Sequence, residues 1–193
     1  MNLILAIISL LSVAAVAVFI ERLWTLKKSE RDTNLLLIKI REALHLGNIA
    51  EAMQICEETG GAISNIIKAS IGKHSKSKEQ IENAIEIAGM IEIAALEKNA
   101  KVLSVIAHIA PMIGLLGTVL GFIQAFSEMR LSGLVDISAT KLGEAMELAL
   151  VTTAAGLAVA IPCVIAYNYL ISRIEAFVLE MEVSSNEIMD ILT

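Results

Sequence analysis

Residues 102–127 read VLSVIAHIAPMIGLLGTVLGFIQAFS, 26 residues without an Asp, Glu, Lys or Arg. A bilayer core needs about 20 apolar residues as helix, so this run is long enough to span. Two further runs share the property: residues 1–20, and residues 148–172, LALVTTAAGLAVAIPCVIAYNYLIS. A large soluble protein buries such helices in its core, but a chain of 193 residues has too little other sequence to cover them. The whole chain is 56% hydrophobic and only 19% charged, with a mean hydropathy of +0.72. Soluble domains average about 25% charged residues. Composition therefore excludes a disordered chain and argues against an ordinary soluble enzyme. A net charge of −6 argues against a nucleic-acid binder, which needs a basic stripe. Two cysteines, Cys56 and Cys163, are too few for a disulfide framework. With three scattered histidines they suggest no metal site, and no cofactor is expected.

The expected fold is an all-α membrane protein with three transmembrane helices. Ala15-Val16-Ala17 looks like a signal-peptidase site. However, the run before it has no positive charge at its start and exceeds the usual 7–15 apolar residues. It reads as an uncleaved first helix, residues 1–20. Twelve of the 15 Lys and Arg lie between Glu21 and Lys101, and Arg22, Lys27, Lys28, Lys98 and Lys101 flank the first two spans. Residues 128–147 hold only Arg130 and Lys141. The positive-inside rule then makes 21–101 a cytoplasmic helical domain and 128–147 an external connection that starts the third helix. The second span is 102–127, the third is 148–172, and 173–193 is a cytoplasmic C-terminal helix. The N-terminus lies outside and the C-terminus inside.

Within 21–101 the apolar spacing predicts helices over 34–46, 49–58 and 62–74, with stops at Gly47-Asn48 and Gly60-Gly61. Twelve acidic side chains balance the twelve basic ones, leaving no patch for a polyanion. From Lys78 no proline or paired glycine intervenes until Pro111. A single helix from there to about Phe126 exceeds what a bilayer holds, so the second span extends into the cytoplasm. The third span extends likewise into the tail, where Phe177, Val178 and Met181 mark one apolar face.

The two long spans are unusually rich in small residues. Gly114, Gly117 and Gly121 remove side chains at close intervals, with Thr118 among them, and Pro111 stands one turn before. Thr152, Thr153 and Gly156 form a matching run in the third span, followed by Pro162, which interrupts the backbone ladder. Small residues let helix backbones approach closely in lipid, so these are helix-packing candidates. Neither span contains a carboxylate, so the chain alone has no central proton carrier. His108 and Glu147, near opposite ends, are candidates for a pore mouth, although a lone boundary histidine is more often a packing residue.

Ala110-Pro-Met-Ile-Gly-Leu-Leu-Gly-Thr-Val-Leu-Gly-Phe122, followed by Ala149-Leu-Val-Thr-Thr-Ala-Ala-Gly-Leu-Ala-Val-Ala-Ile-Pro162, resembles the MotA/TolQ/ExbB proton-channel family. Glu21-Arg-Leu and Leu46-Gly-Asn-Ile-Ala-Glu-Ala-Met53 fit as well. Three spans with a short external connection are more similar to the ExbB and TolQ biopolymer transport proteins than to MotA. The resemblance implies a pentamer around a central pore in the bacterial inner membrane. It implies partner helices of the ExbD/TolR kind, each with an intramembrane Asp, and work passed to a TonB- or TolA-like protein. Thr118 and Thr153 match the family's threonines, and with Thr152 are the candidates for the proton pathway. Where many ExbB and TolQ proteins carry a glutamate, eight residues before Gly156, this chain has Leu148; Glu147 lies one residue earlier, about 100° round the helix. Two other functions stay open: a MotA-like stator pushing on a cytoplasmic rotor, and a non-conducting scaffold.

Overall fold

The computed structural model describes residues 2–30, 33–132 and 139–192. Among them run six helices: α1 (Asn2–Glu30), α2 (Thr33–His45), α3 (Ile49–Thr59), α4 (Ala62–Ile71), α5 (Lys78–Ser132) and α6 (Ala139–Leu192). The chain is all-helical, and α1, α5 and α6 are long and apolar enough to cross a membrane. Each of the three continues past its uncharged run. Charged residues end the apolar run but are good helix formers, so α1 reaches Glu30 rather than stopping at Ile20. The third span and the C-terminal tail form one helix that passes through Pro162, and α5 passes through Pro111. Part of the expected external connection, 133–138, lies outside the described residues.

Two compact units share these helices. One comprises residues 1–20 and 99–169; the other comprises 21–98 and 170–193. In the first, the buried positions are mostly small: Ala15, Ala107, Ala110, Ala125, Ala149 and Ala160, with several glycines. Its large apolar side chains mostly face outward, as at Val13, Met112 and Ile165. Lipid rewards burial of large apolar groups no more than exposure, so packing there follows close backbone approach.

The second unit has a conventional core. Buried side chains on α2 (Leu36, Ile40), α4 (Ile63, Ile67, Ile71), α5 (Ile81) and α6 (Phe177, Met181, Ile188) supply it. Its turns are locally encoded. Gly47, at φ +73, ends α2 with Asn48 N–H on Ala43 O and Gly47 N–H on Leu44 O, the two bonds of a Schellman stop. Asn48 then caps α3, accepting from the Glu51 N–H at 3.2 Å while its amide donates to Glu51 Oε2 at 2.8 Å. The α4 helix ends at Ile71, earlier than the expected 74. There His74 Nδ1–H takes the Ile71 carbonyl at 2.9 Å, and the chain closes three-residue turns through Lys73 and His74. Ion pairs join α2 to α6 (Arg41–Glu187) and α4 to α3 (Lys68–Glu57, 2.6 Å), and Asn65 on α4 donates to Glu92 on α5 at 2.7 Å. Burial pushes the Cys56 thiol up to about 11 against the smaller opposing pull of Lys68, so at neutral pH it is protonated and unreactive.

Candidate functional site: the α5–α6 seam

The residues singled out in the two long spans meet along one seam inside the first unit. At Gly114 an added Cβ would lie 2.9 Å from Thr152 O and 3.0 Å from Thr153 Cα. At Gly117 it would run into the Thr152 side chain, 2.7 Å from Thr152 Cβ. At Gly156 it would lie 2.5 Å from Ala110 O and 3.3 Å from Gly114 Cα. Real Cβ atoms do not approach this closely, so at all three positions the crossing of α5 and α6 depends on the missing side chain. Gly121 is buried on the same face of α5, one turn beyond Gly117.

The hydroxyls divide along this seam. Thr152 is fully buried; its Oγ1–H donates to Ala149 O at 2.7 Å, with Gly114 O at 3.3 Å as the weaker alternative. Enclosed between the helices, Thr152 packs into the space left by Gly117. Thr153 is only half-buried, and its Oγ1–H donates across the seam to Gly114 O at 3.0 Å. Thr118, 9% exposed, donates back to Leu115 O at 2.7 Å on its own helix. Gly114 O is therefore the acceptor on which the two adjacent threonines converge. A backbone carbonyl carries no side-chain signature, so residue types alone did not mark it. The Ala110 carbonyl, packed against Gly156, is equally silent in the sequence.

The remaining candidates sit elsewhere. Glu147 and Leu148 are exposed on α6. His108 is exposed on α5, and its Nδ1–H donates to Ser104 O at 2.7 Å. Pro111 is half-buried and Pro162 exposed. Neither proline offers an N–H to the carbonyl one turn before it.

The sequence model of the MotA/TolQ/ExbB proton channel family matches residues 58–183, more than half of the chain and all of the seam. The chain belongs to this family. Among its relatives, an ExbB homologue of Methanothermobacter thermautotrophicus is 27% identical over 169 residues, covering 84% of this chain and 59% of that protein. The biopolymer transport protein ExbB of Helicobacter pylori is 50% identical over 78 residues, 40% of this chain and 52% of that protein. The Tol-Pal system protein TolQ of Haemophilus influenzae is 41% identical over 93 residues, 48% of this chain and 40% of that protein. The chain thus spans less than two thirds of each of these relatives. Its three long apolar helices fit a membrane protein of this family.

Proposed function

We propose that this chain is a proton-motive-force-coupled motor subunit of the bacterial inner membrane. Five copies surround single-span partner helices of the ExbD/TolR kind, and the assembly energises a TonB- or TolA-like protein. One observation carries the reading: neither long span has an Asp, Glu, Lys or Arg, while their seam presents hydroxyls and backbone carbonyls. A proton path through the membrane needs an ionisable carrier. A pore of this composition leaves that carrier to a partner's carboxylate.

In this reading Thr153 is the working hydroxyl of the seam. Its Oγ1–H, now on Gly114 O, is half-exposed and reaches a carboxylate or a water by a χ1 rotation. Donation to an ionised Asp lowers the cost of that charge in lipid. Thr118 supplies a second hydroxyl, while Thr152 holds the helices together. Glu147 and His108 stand toward the two ends of the path, and residues 21–101 and 173–193 face the cytoplasm, as the flanking basic residues favour.

The test is the double variant Thr118→Val, Thr153→Val, which keeps shape and removes both hydroxyls. Co-expressed with a single-span partner of the ExbD/TolR kind, the variant should assemble normally. Proton flux into vesicles carrying the pair should fall at least tenfold, about 1.4 kcal/mol of lost transition-state stabilisation. Wild-type flux in the assembled variant would reduce both threonines to packing residues.

A further inference from the structure

The α1 helix has one face that no other described residue covers. Its buried residues Ile4, Ile8, Ala15 and Leu26 fall within about 40° of one another around the helix. On the opposite side Leu10, Val13, Ile20, Trp24 and Lys27 form an exposed stripe. Trp24 is 79% exposed. A tryptophan ring is large and mostly apolar with one polar edge, so full exposure to water is costly, whereas the membrane–water interface suits it. Depth agrees with this. The uncharged run ends at Ile20. At 1.5 Å per residue Trp24 stands about 6 Å beyond it and Lys27 about 10 Å. The headgroup layer adds about 5–8 Å on each side of the hydrocarbon. Trp24 therefore falls within that layer and Lys27 at its outer edge, from which a lysine stem reaches back toward phosphate. The cations nearest the span differ in availability. Arg22 lies on the covered side of α1, its Nη2 on Glu21 Oε1 at 3.0 Å. That contact also engages the carboxylate closest in sequence to Trp24. Lys27 is exposed and has no hydrogen-bond or ion-pair partner among the described residues, and Lys28 follows it in the sequence.

We propose that this face of α1 is a binding site for an anionic phospholipid. The lipid phosphate sits on the Lys27 ammonium, the glycerol backbone lies against the Trp24 ring, and the acyl chains run along Ile20 and Val13. Charge complementarity selects the headgroup: an unpartnered lysine at the edge of the bilayer attracts an anionic surface, and the attraction is short-ranged because salt screens it. Continuity with the spanning segment selects a lipid as the occupant, since the stripe that ends in Trp24 and Lys27 is the same one that faces outward along the apolar run. The contact is independent of what the α5–α6 seam conducts.

Trp24 is the only tryptophan of the chain, so its fluorescence reports this contact alone. The full-length protein is reconstituted into nanodiscs of phosphatidylcholine mixed with phosphatidylglycerol. One lipid or the other carries bromine on its acyl chains close to the headgroup, where it quenches an indole on contact. Brominated phosphatidylglycerol should quench as if enriched about fivefold over its bulk fraction, the scale of one lysine at an anionic surface. In about 1 M salt, where the screening length is about 3 Å, the enrichment should vanish. Lys27→Gln with Lys28→Gln should remove it at low salt. Lys73→Gln with Lys76→Gln, an equal loss of charge far from α1 in the sequence, should leave it intact. Quenching by both lipids in proportion to their bulk fractions would overturn the anionic site and leave Trp24 facing lipid of any kind. Enrichment that survives Lys27→Gln with Lys28→Gln would equally overturn the site. Absence of quenching by either lipid would put a protein surface over the ring and overturn the lipid contact altogether.

Discussion

The two units of this molecule are built from the same long helices by opposite rules. Along α5 the membrane unit buries Gly114, Gly117, Thr118 and Gly121 and turns Leu115, Val119 and Phe126 outward. In the other unit α6 buries Leu170, Ile174, Phe177 and Met181 and leaves Glu175 and Glu182 outside. Water drives large apolar groups inward at about 25 cal/mol per Å². Lipid supplies no such drive, so there the favourable interior is the one that lets two backbones touch. The lesson is that a residue's size predicts its burial only once its solvent is known.

The largest expected effect breaks the membrane unit's rule. Gly117→Leu would drive a side chain into that of the fully buried Thr152. Overpacking of a tight site costs about 1–3 kcal/mol or more, and here the crossing itself is at stake. We expect loss of folded protein on extraction into mild detergent, read by gel filtration and circular dichroism. Normal recovery of the Gly117→Leu protein would mean that the seam is not a close contact.

A second comparison sharpens the role of solvent. Ile67 is fully buried on α4, and Ile67→Ala should cost about 2–5 kcal/mol in thermal or denaturant unfolding. Val13, 69% exposed on α1, is just as apolar, yet Val13→Ala should change stability by less than about 0.5 kcal/mol. Equal losses at the two positions would erase the distinction between the units.

The smallest effect carries the opposite sign. Gly89 lies on the same helix as Gly117, with nothing within 4 Å of where its Cβ would stand. Gly89→Ala should therefore stabilise by about 0.5–1 kcal/mol, the ordinary helix propensity difference. A destabilisation would show that Gly89 meets a neighbour in the assembled protein.

Much of this organisation was legible before any coordinates. The uncharged runs located the three long apolar helices because bilayer thickness demands a length that few soluble helices reach without charge. Gly47-Asn48 and Gly60-Gly61 marked the helix ends because positive φ and a capping amide are local chemistry. Other features were not legible. The α1 helix buries Ile4, Ile8 and Ala15, but it is apolar on every side, so no periodicity singles out that face. Likewise the lone Gly72 after Ile71 did not announce the end of α4 as the paired glycines did, and beyond it the His74 ring folds back on the Ile71 carbonyl.

Thr152 and Thr153 show where the division between sequence and tertiary structure falls, and why. Their position beside Gly156 and opposite a glycine-rich span follows from residue order, and so does the absence of any carboxylate in either span. Those facts define a polar, small-residue seam with no Asp, Glu, Lys or Arg of its own. Which threonine packs and which remains half-open does not follow from order. Adjacent residues on a helix point about 100° apart, and both carry the same hydroxyl. The choice belongs to α5: Gly117 accepts the bulk of Thr152, and the Gly114 carbonyl takes the hydroxyl of Thr153. A contact between segments nearly forty residues apart decided it, because only the meeting of two surfaces distinguishes chemically identical neighbours.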